Sequence, residues 1–195
     1  QLALAVHNFH DANNRMPFPG IEDRNAPINP KGGRKTNLSW RVAILPYIEQ
    51  GPLFNQFRLD EPWDSEHNRK LIDKMPPIFA PPPGVAAEKG HTYLRTFTGL
   101  GIGNGRYNLA NLPDGSSNTI MIVEAGEAAP WTKPDDFPFD PTKPLPKLGA
   151  HFRGKFMNVA MCDGSVRVVP LEKINERTLK LAIQPDDGEP LPGDW

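Results

Sequence analysis

Apolar positions at the start of the chain recur with helical spacing. Leu2, Ala5, Val6 and Phe9 fall at i, i+3, i+4 and i+7, which gathers them on one helical face. A helix over about residues 1–14 is expected, ending where Asn13 and Asn14 precede Pro17 and Pro19, since proline cannot continue it. No Ser, Thr, Asp or Asn caps its entry, so the pattern reads as the lower end of a longer helix. Residues 20–37 show no periodicity and read as a surface loop, with the basic KGGRK patch in solvent.

Ser39 is an expected cap for two short helices carrying Trp40, Ile44 and Tyr47, then Leu53, Phe54 and Phe57. A third is expected from Asp64 or Ser65, with Leu71, Ile72 and Met75 inward, ended by PPIFAPPP. From residue 91 the period becomes two. HTYLRTFTG reads as a strand, and NTIMIVEA as one buried on both faces. The glycines of GLGIGNGRYNLANLPDG are followed by no helical stretch, so they lack the strand–turn–helix order of a phosphate cradle. Residues 126–149 hold six prolines and read as a long ordered loop or extended arm. NERTLKLAIQ predicts a helix capped by Asn175 with Leu179, Ala182 and Ile183 on one face, before an acidic tail.

FMNVAMCDGSVRVVP, residues 156–170, reads as a hairpin turning at Asp163-Gly164. A two-residue type I′ turn would pair Met161 with Val166, Val159 with Val168 and Met157 with Pro170. That register makes one face wholly apolar; the other pairs Cys162 with Ser165, Ala160 with Arg167 and Asn158 with Val169. The N-terminal helix is the expected cover of the apolar face. The fold class is therefore α+β: a pilin-like N-terminal helix on an antiparallel sheet, with short helices and long Pro-rich loops.

Composition narrows the function. In 195 residues, 23 prolines and 17 glycines imply one domain, 1–195, with much loop. A net charge of −1 gives no basis for a nucleic-acid partner. The lone Cys162 excludes an internal disulfide, and no run reaches the roughly 20 apolar residues that span a bilayer.

No HExxH, GxSxG or Cys–His pattern occurs, so no enzyme chemistry is assigned and no cofactor is required. Asp163 reads first as a turn former, as does Asp114 of the Asp114-Gly115 pair. His7 and His10 sit i, i+3 on the first helix as a metal-chelating option, although surface histidines at that spacing are usually solvated. Glu124, at the end of an apolar strand, and Trp131 are candidate ligand-binding residues, with structural roles as the alternative. Asp135, Asp136 and Asp140 are candidate oxygen ligands for calcium.

LALAVHNFHDANNRMPFPG, LSWRVAILPYIEQGPLFNQFRLDEPWDSEHNRKLI, DGSSNTIMIVEAGEAAPWTKPDD and HFRGKFMNVAMCDGSVR resemble a planctomycete family of unassigned function, formerly labelled a bacterial solute-binding group. Its members carry a prepilin-type cleavage and methylation segment ahead of such a helix, and a C-terminal His and Asp-Gly motif. The resemblance places that motif at His151, Asp163 and Gly164, with an interval, residues 152–162, longer than the family's usual one. It implies a non-enzymatic pilin-like or pseudopilin-like protein that assembles or docks through its N-terminal helix. Its partners would be other pilin-like subunits or the machinery of type II secretion or type IV pili. It would be extracytoplasmic, at the periplasm or cell surface, and held to the membrane by a helical start preceding Gln1. The alternative is a surface module binding a glycan or small solute.

Overall fold

Helix α1 (Leu2–Asn13) forms where the apolar spacing predicts, burying Ala3, Ala5, Val6 and Phe9. The computed structural model describes residues 1–28, 34–100, 107, 109–150, 154–193 and 195. α1 ends because Asn14 turns left-handed, φ 52°, and its N–H donates to the His10 carbonyl, a cap geometry asparagine tolerates. Among the described residues, no helix is long and apolar enough to cross a membrane.

The segment expected as one surface loop instead contains two strands. β1 (Gly20–Glu22) pairs antiparallel with β2 (Thr36–Ser39). Three residues are too few to show a period, and the pairing depends on Gly20: at φ +144° it lies so close to β2 that a Cβ would collide with the Leu38 carbonyl. Ser39 then caps α2 (Trp40–Ala43), its Oγ accepting from the Arg41 N–H at 3.1 Å. A 3-10 turn (Leu45–Ile48) and α3 (Gly51–Phe54) follow. The third expected helix is 3-10 over Asn68–Lys74, with Ser65 Oγ accepting from the Asn68 N–H at 3.1 Å.

The principal sheet has four antiparallel strands in the order β3–β5–β7–β8. β3 (His91–Arg95) is separated from β4 (Phe97–Thr98) at Thr96. There the N–H donates to Asp136 Oδ1 and the hydroxyl to the Met121 carbonyl, so the run expected as one strand breaks in two. β5 (Ile120–Pro130), built on the expected apolar run, is an interior strand and extends into the proline-rich segment. That segment also supplies β6 (Phe137–Pro138), parallel to β4, and a bridge from Leu148 to Ala125. It is thus partly regular structure, because Pro130 and Pro138 fall at strand ends and the other four prolines outside the strands, where no ladder donor is lost.

β7 (Phe156–Met161) and β8 (Val166–Pro170) form the expected hairpin in a different register. Val159 faces Arg167 and Ala160 faces Val166. The loop has three residues: Gly164 N–H donates to the Met161 carbonyl, and Met161 N–H to Ser165. Only Gly164 has positive φ, 88°. Asp163 keeps the ordinary conformation because its carboxylate accepts from both the N–H and the hydroxyl of Ser165, at 2.8 and 2.6 Å. This is a type I turn closed by a glycine bulge, and it moves every pair by one residue.

The shift places Val166 and Val168 on the face of Asn158 and Ala160, and the helices that cover the two faces of β7 also differ from expectation. Met157, Val159 and Met161 pack with Leu179, Ala182 and Ile183 of α4 (Glu176–Ile183), which Asn175 caps as expected. α1 packs on the other side with Ile122, Leu94 and Ala160. The sheet is therefore covered on both faces, and the fold is α+β.

Candidate functional site

Where α1 begins, the sheet is incompletely covered. An open groove of about 500 Å³ lies between the first two turns of α1 and the strand surface. Leu2, Leu4, Ile78, Leu94, Ile122 and Ala160 give it apolar walls, and His7, Asn158 and Asp163 contribute polar atoms. At its rim Leu4 and Val166 are 62% and 67% exposed, and Val168 farther along β8 is 62% exposed. Burial of such side chains is worth roughly 1.5–3 kcal/mol each, so this rim carries unspent association energy.

The hairpin tip closes one end of the groove. His7 Nε2 donates to the Cys162 carbonyl at 2.9 Å, and the Cα of Gly164 lies close enough to His7 that a Cβ would sit 3.7 Å from Cε1. Asp163 N–H donates to Ser116 and Cys162 N–H to Thr119, so the second Asp-Gly segment supports the first. Asp114 is a cap for the C-terminal tail, its carboxylate accepting from the N–H groups of Asp187 and Gly188 at 2.8 and 3.0 Å. Gly115 makes that turn at φ 90°. The hydrogen bonds from Ser165 hold the Asp163 carboxyl below its ordinary pKa. His151, the third residue of the expected motif, lies outside the described residues.

Glu124 sits where β5 changes partners. Up to Val123 the strand pairs with β7; beyond it Ala125 bridges Leu148, and Gly126 N–H donates to Lys147. At the fork the buried carboxylate accepts from the backbone N–H and side-chain Nδ2 of Asn158, at 2.9 and 3.0 Å. It substitutes for the ladder bond that the divergence removes. Glu124 is therefore part of the sheet, with Asn158 relaying it to the groove floor.

Trp131 is enclosed, stacked on Phe79 at 5.7 Å and edge-on to Phe57 at 5.8 Å. Its Nε1 donates to the Ile72 carbonyl at 2.9 Å. It presents no ring face to a ligand and belongs to the core.

The three aspartates considered for calcium diverge. Asp136 is buried against Arg41, with Trp40 Nε1 donating to it at 3.2 Å. Asp135 pairs with Lys133 at 3.1 Å and faces Arg95 at 3.8 Å. Asp140 caps its own turn through Thr142. Two of the three lie beside guanidinium groups, which repel a cation. His10 lies beside Asp11, at 3.5 Å, while His7 is engaged by the Cys162 carbonyl. Among the described residues, no three His, Cys, Asp or Glu side chains gather as metal ligands.

Sequence reasoning missed Arg41 and the groove lining. Arg41 is fully buried, donating to the carbonyls of Trp131, Leu94 and Lys133 at 2.7, 2.7 and 2.8 Å. A cation inside the apolar run WRVAIL was the available signal. Ile78, Ile122 and Ala160 gave none, since each follows its local period.

The profile of a family described as "Protein of unknown function (DUF1559)", also designated SBP_bac_10, matches residues 1–98. The chain belongs to this family. The DUF1559 match takes in α1, Ile78 and Leu94 on one side of the groove, while Ile122, Asn158, Ala160 and Val166 lie beyond it. No curated protein and no solved structure matches the chain.

Proposed function

We propose that this DUF1559 protein is a non-enzymatic, pilin-like or pseudopilin-like module that assembles or docks through α1. The observation carrying the reading is the apolar groove beside the first two turns of α1, with Leu4 projecting from the helix at its rim. A helix that both braces the sheet and keeps an apolar side chain outward suits helix-to-helix assembly. Its polar neighbours fit the same reading. His7, Glu124 and Asp163 are engaged in backbone and side-chain bonds that hold the fold. On this reading the domain is displayed outside the cytoplasm, membrane-anchored, with pilin-like subunits or secretion machinery as partners.

The test is a photoreactive residue at Leu4 in the full-length protein in its own cells. Adducts with chains carrying a pilin-type helix are expected, together with fractionation outside the cytoplasm. Adducts confined to cytoplasmic proteins would overturn the reading. A second reading, small-solute or glycan binding, is favoured by the groove volume, which lies within the roughly 300–1,000 Å³ of ligand sites. Saturable binding of a small solute that Ile122→Trp abolishes would replace the first reading.

A further inference from the structure

β8 is an edge strand of the sheet. Ser165 and Leu171 both bond to the β7 side, so by alternation the peptide groups of Arg167 and Val169 also face β7. Those of Val166 and Val168 point outward. Among the described residues, no hydrogen bond to these outward groups is made, and both valine side chains are more than half exposed. Natural sheet edges are usually blunted by charge, proline or a covering element. Here the one charge within β8, Arg167, lies over the Trp195 ring at 5.2 Å on the other face, and proline enters only at Pro170, which has no N–H and whose carbonyl accepts from Lys173 and Ile174.

We infer that this edge pairs antiparallel with the same edge of a second copy, centred on Arg167, so that Val166 of one chain faces Val168 of the other. This register satisfies all four outward groups of each chain, and the turn at one end and Pro170 at the other limit it to that length. The valines of both copies then form one apolar strip along the groove side.

Charge supports a second copy as the occupant. Antiparallel pairing sets the tip of one hairpin, bearing Asp163, beside the base of the other, where Lys155 and Lys173 outnumber Glu172. The like-charged Arg167 pair faces the opposite side of the sheet. Each guanidinium is drawn toward its own tip, donating to the Ser117 carbonyl at 3.2 Å, and the two tips point in opposite directions. The pairing goes beyond α1-mediated docking: it uses the backbone edge of β8, which meets the α1 groove only at Val166.

Two measurements test it. Sedimentation of the chain over a concentration series is expected to show a reversible dimer. V166K/V168K weakens the dimer about tenfold or more through like-charge opposition, whereas Leu4→Glu leaves it unchanged. Second, V166C chains are mixed with size-tagged V168C chains under mild oxidation. Facing positions lie about 5.5 Å apart, inside the roughly 4.4–6.8 Å range of disulfides, so the mixed dimer dominates. Like positions, roughly 7–8 Å apart, cross-link poorly. Both substitutions are at exposed sites, so folding is retained. A wild-type chain that stays monomeric throughout, or V168C homodimers exceeding the mixed species, overturns the proposal. Loss of the dimer in Leu4→Glu alone would instead assign self-association to α1 and overturn it as well.

Discussion

His7 donates from Nε2 to the carbonyl oxygen of Cys162 at 2.9 Å, across 155 residues of chain. The bond ties the first helix to the tip of the last hairpin and joins the two walls of the groove. It explains why an Asp-Gly turn is placed there: a three-residue loop ending in glycine leaves the Cys162 carbonyl free for the imidazole.

Gly164→Ala places a Cβ at φ +88°, facing His7. A loss of about 1 kcal/mol is expected, read as a lowered urea midpoint with unchanged m-value. Asp163→Asn gives the pH signature. Because the folded-state pKa of Asp163 is depressed by its bonds from Ser165, its stabilisation is present above the unfolded carboxylate value, about 3.9. It is lost as pH falls through the lower folded value. The stability difference between parent and variant should therefore narrow on acidification below about pH 4.

Glu124→Gln keeps the volume of the side chain but sets an amide donor against the two donors of Asn158. About 1.5–3 kcal/mol is expected from loss of the charged acceptor. Hydrogen exchange at the Asn158 amide should accelerate by more than at amides in α4.

The buried Arg41–Asp136 pair makes a third case. Burial pushes Arg41 down to about 10 and raises Asp136 despite the guanidinium beside it. A carboxyl with a raised folded value loses stability as pH rises from its unfolded pKa, about 3.9, through the folded one. Asp136→Asn should flatten that part of the stability curve. Arg41→Met should cost about 3–5 kcal/mol at neutral pH, by stranding the carboxylate, and should extend the falling limb to higher pH. Chemical denaturation over a pH series measures both.

Cys162 is the only thiol, is buried, and has its pKa pushed up to about 12 by burial. Modification by an aromatic disulfide reagent at neutral pH should be slow in the native protein and proceed at the rate of opening, since the thiolate is the reactive form. His7→Ala removes the bond that holds the hairpin tip down and should speed the reaction without changing the unfolded-state rate.

Local order was legible in the residues themselves. Leu2, Ala5, Val6 and Phe9 define α1, the Asn175 cap and Leu179 define α4, and the apolar run at Ile120 defines the interior strand, because each is a short-range pattern with a physical period. The hairpin was equally visible, but its register was not. The choice between two turn types rests on the Asp163 φ angle, and the bonds to Ser165 and Ser116 settle it. That single residue of slip put Val166 and Val168 on the face of Ala160 and Asn158, outward on the groove side, while the cover of Met157, Val159 and Met161 by α4 and not α1 is a separate matter of tertiary packing. β1, β6 and the fork at Glu124 were likewise invisible, since they are pairings between distant segments too short to carry a period of their own. Sequence alone determined which residues prefer to be buried and in what local conformation. Only the tertiary structure decided which buried face meets which helix, because that depends on contacts between segments far apart in the chain, as between His7 and Cys162.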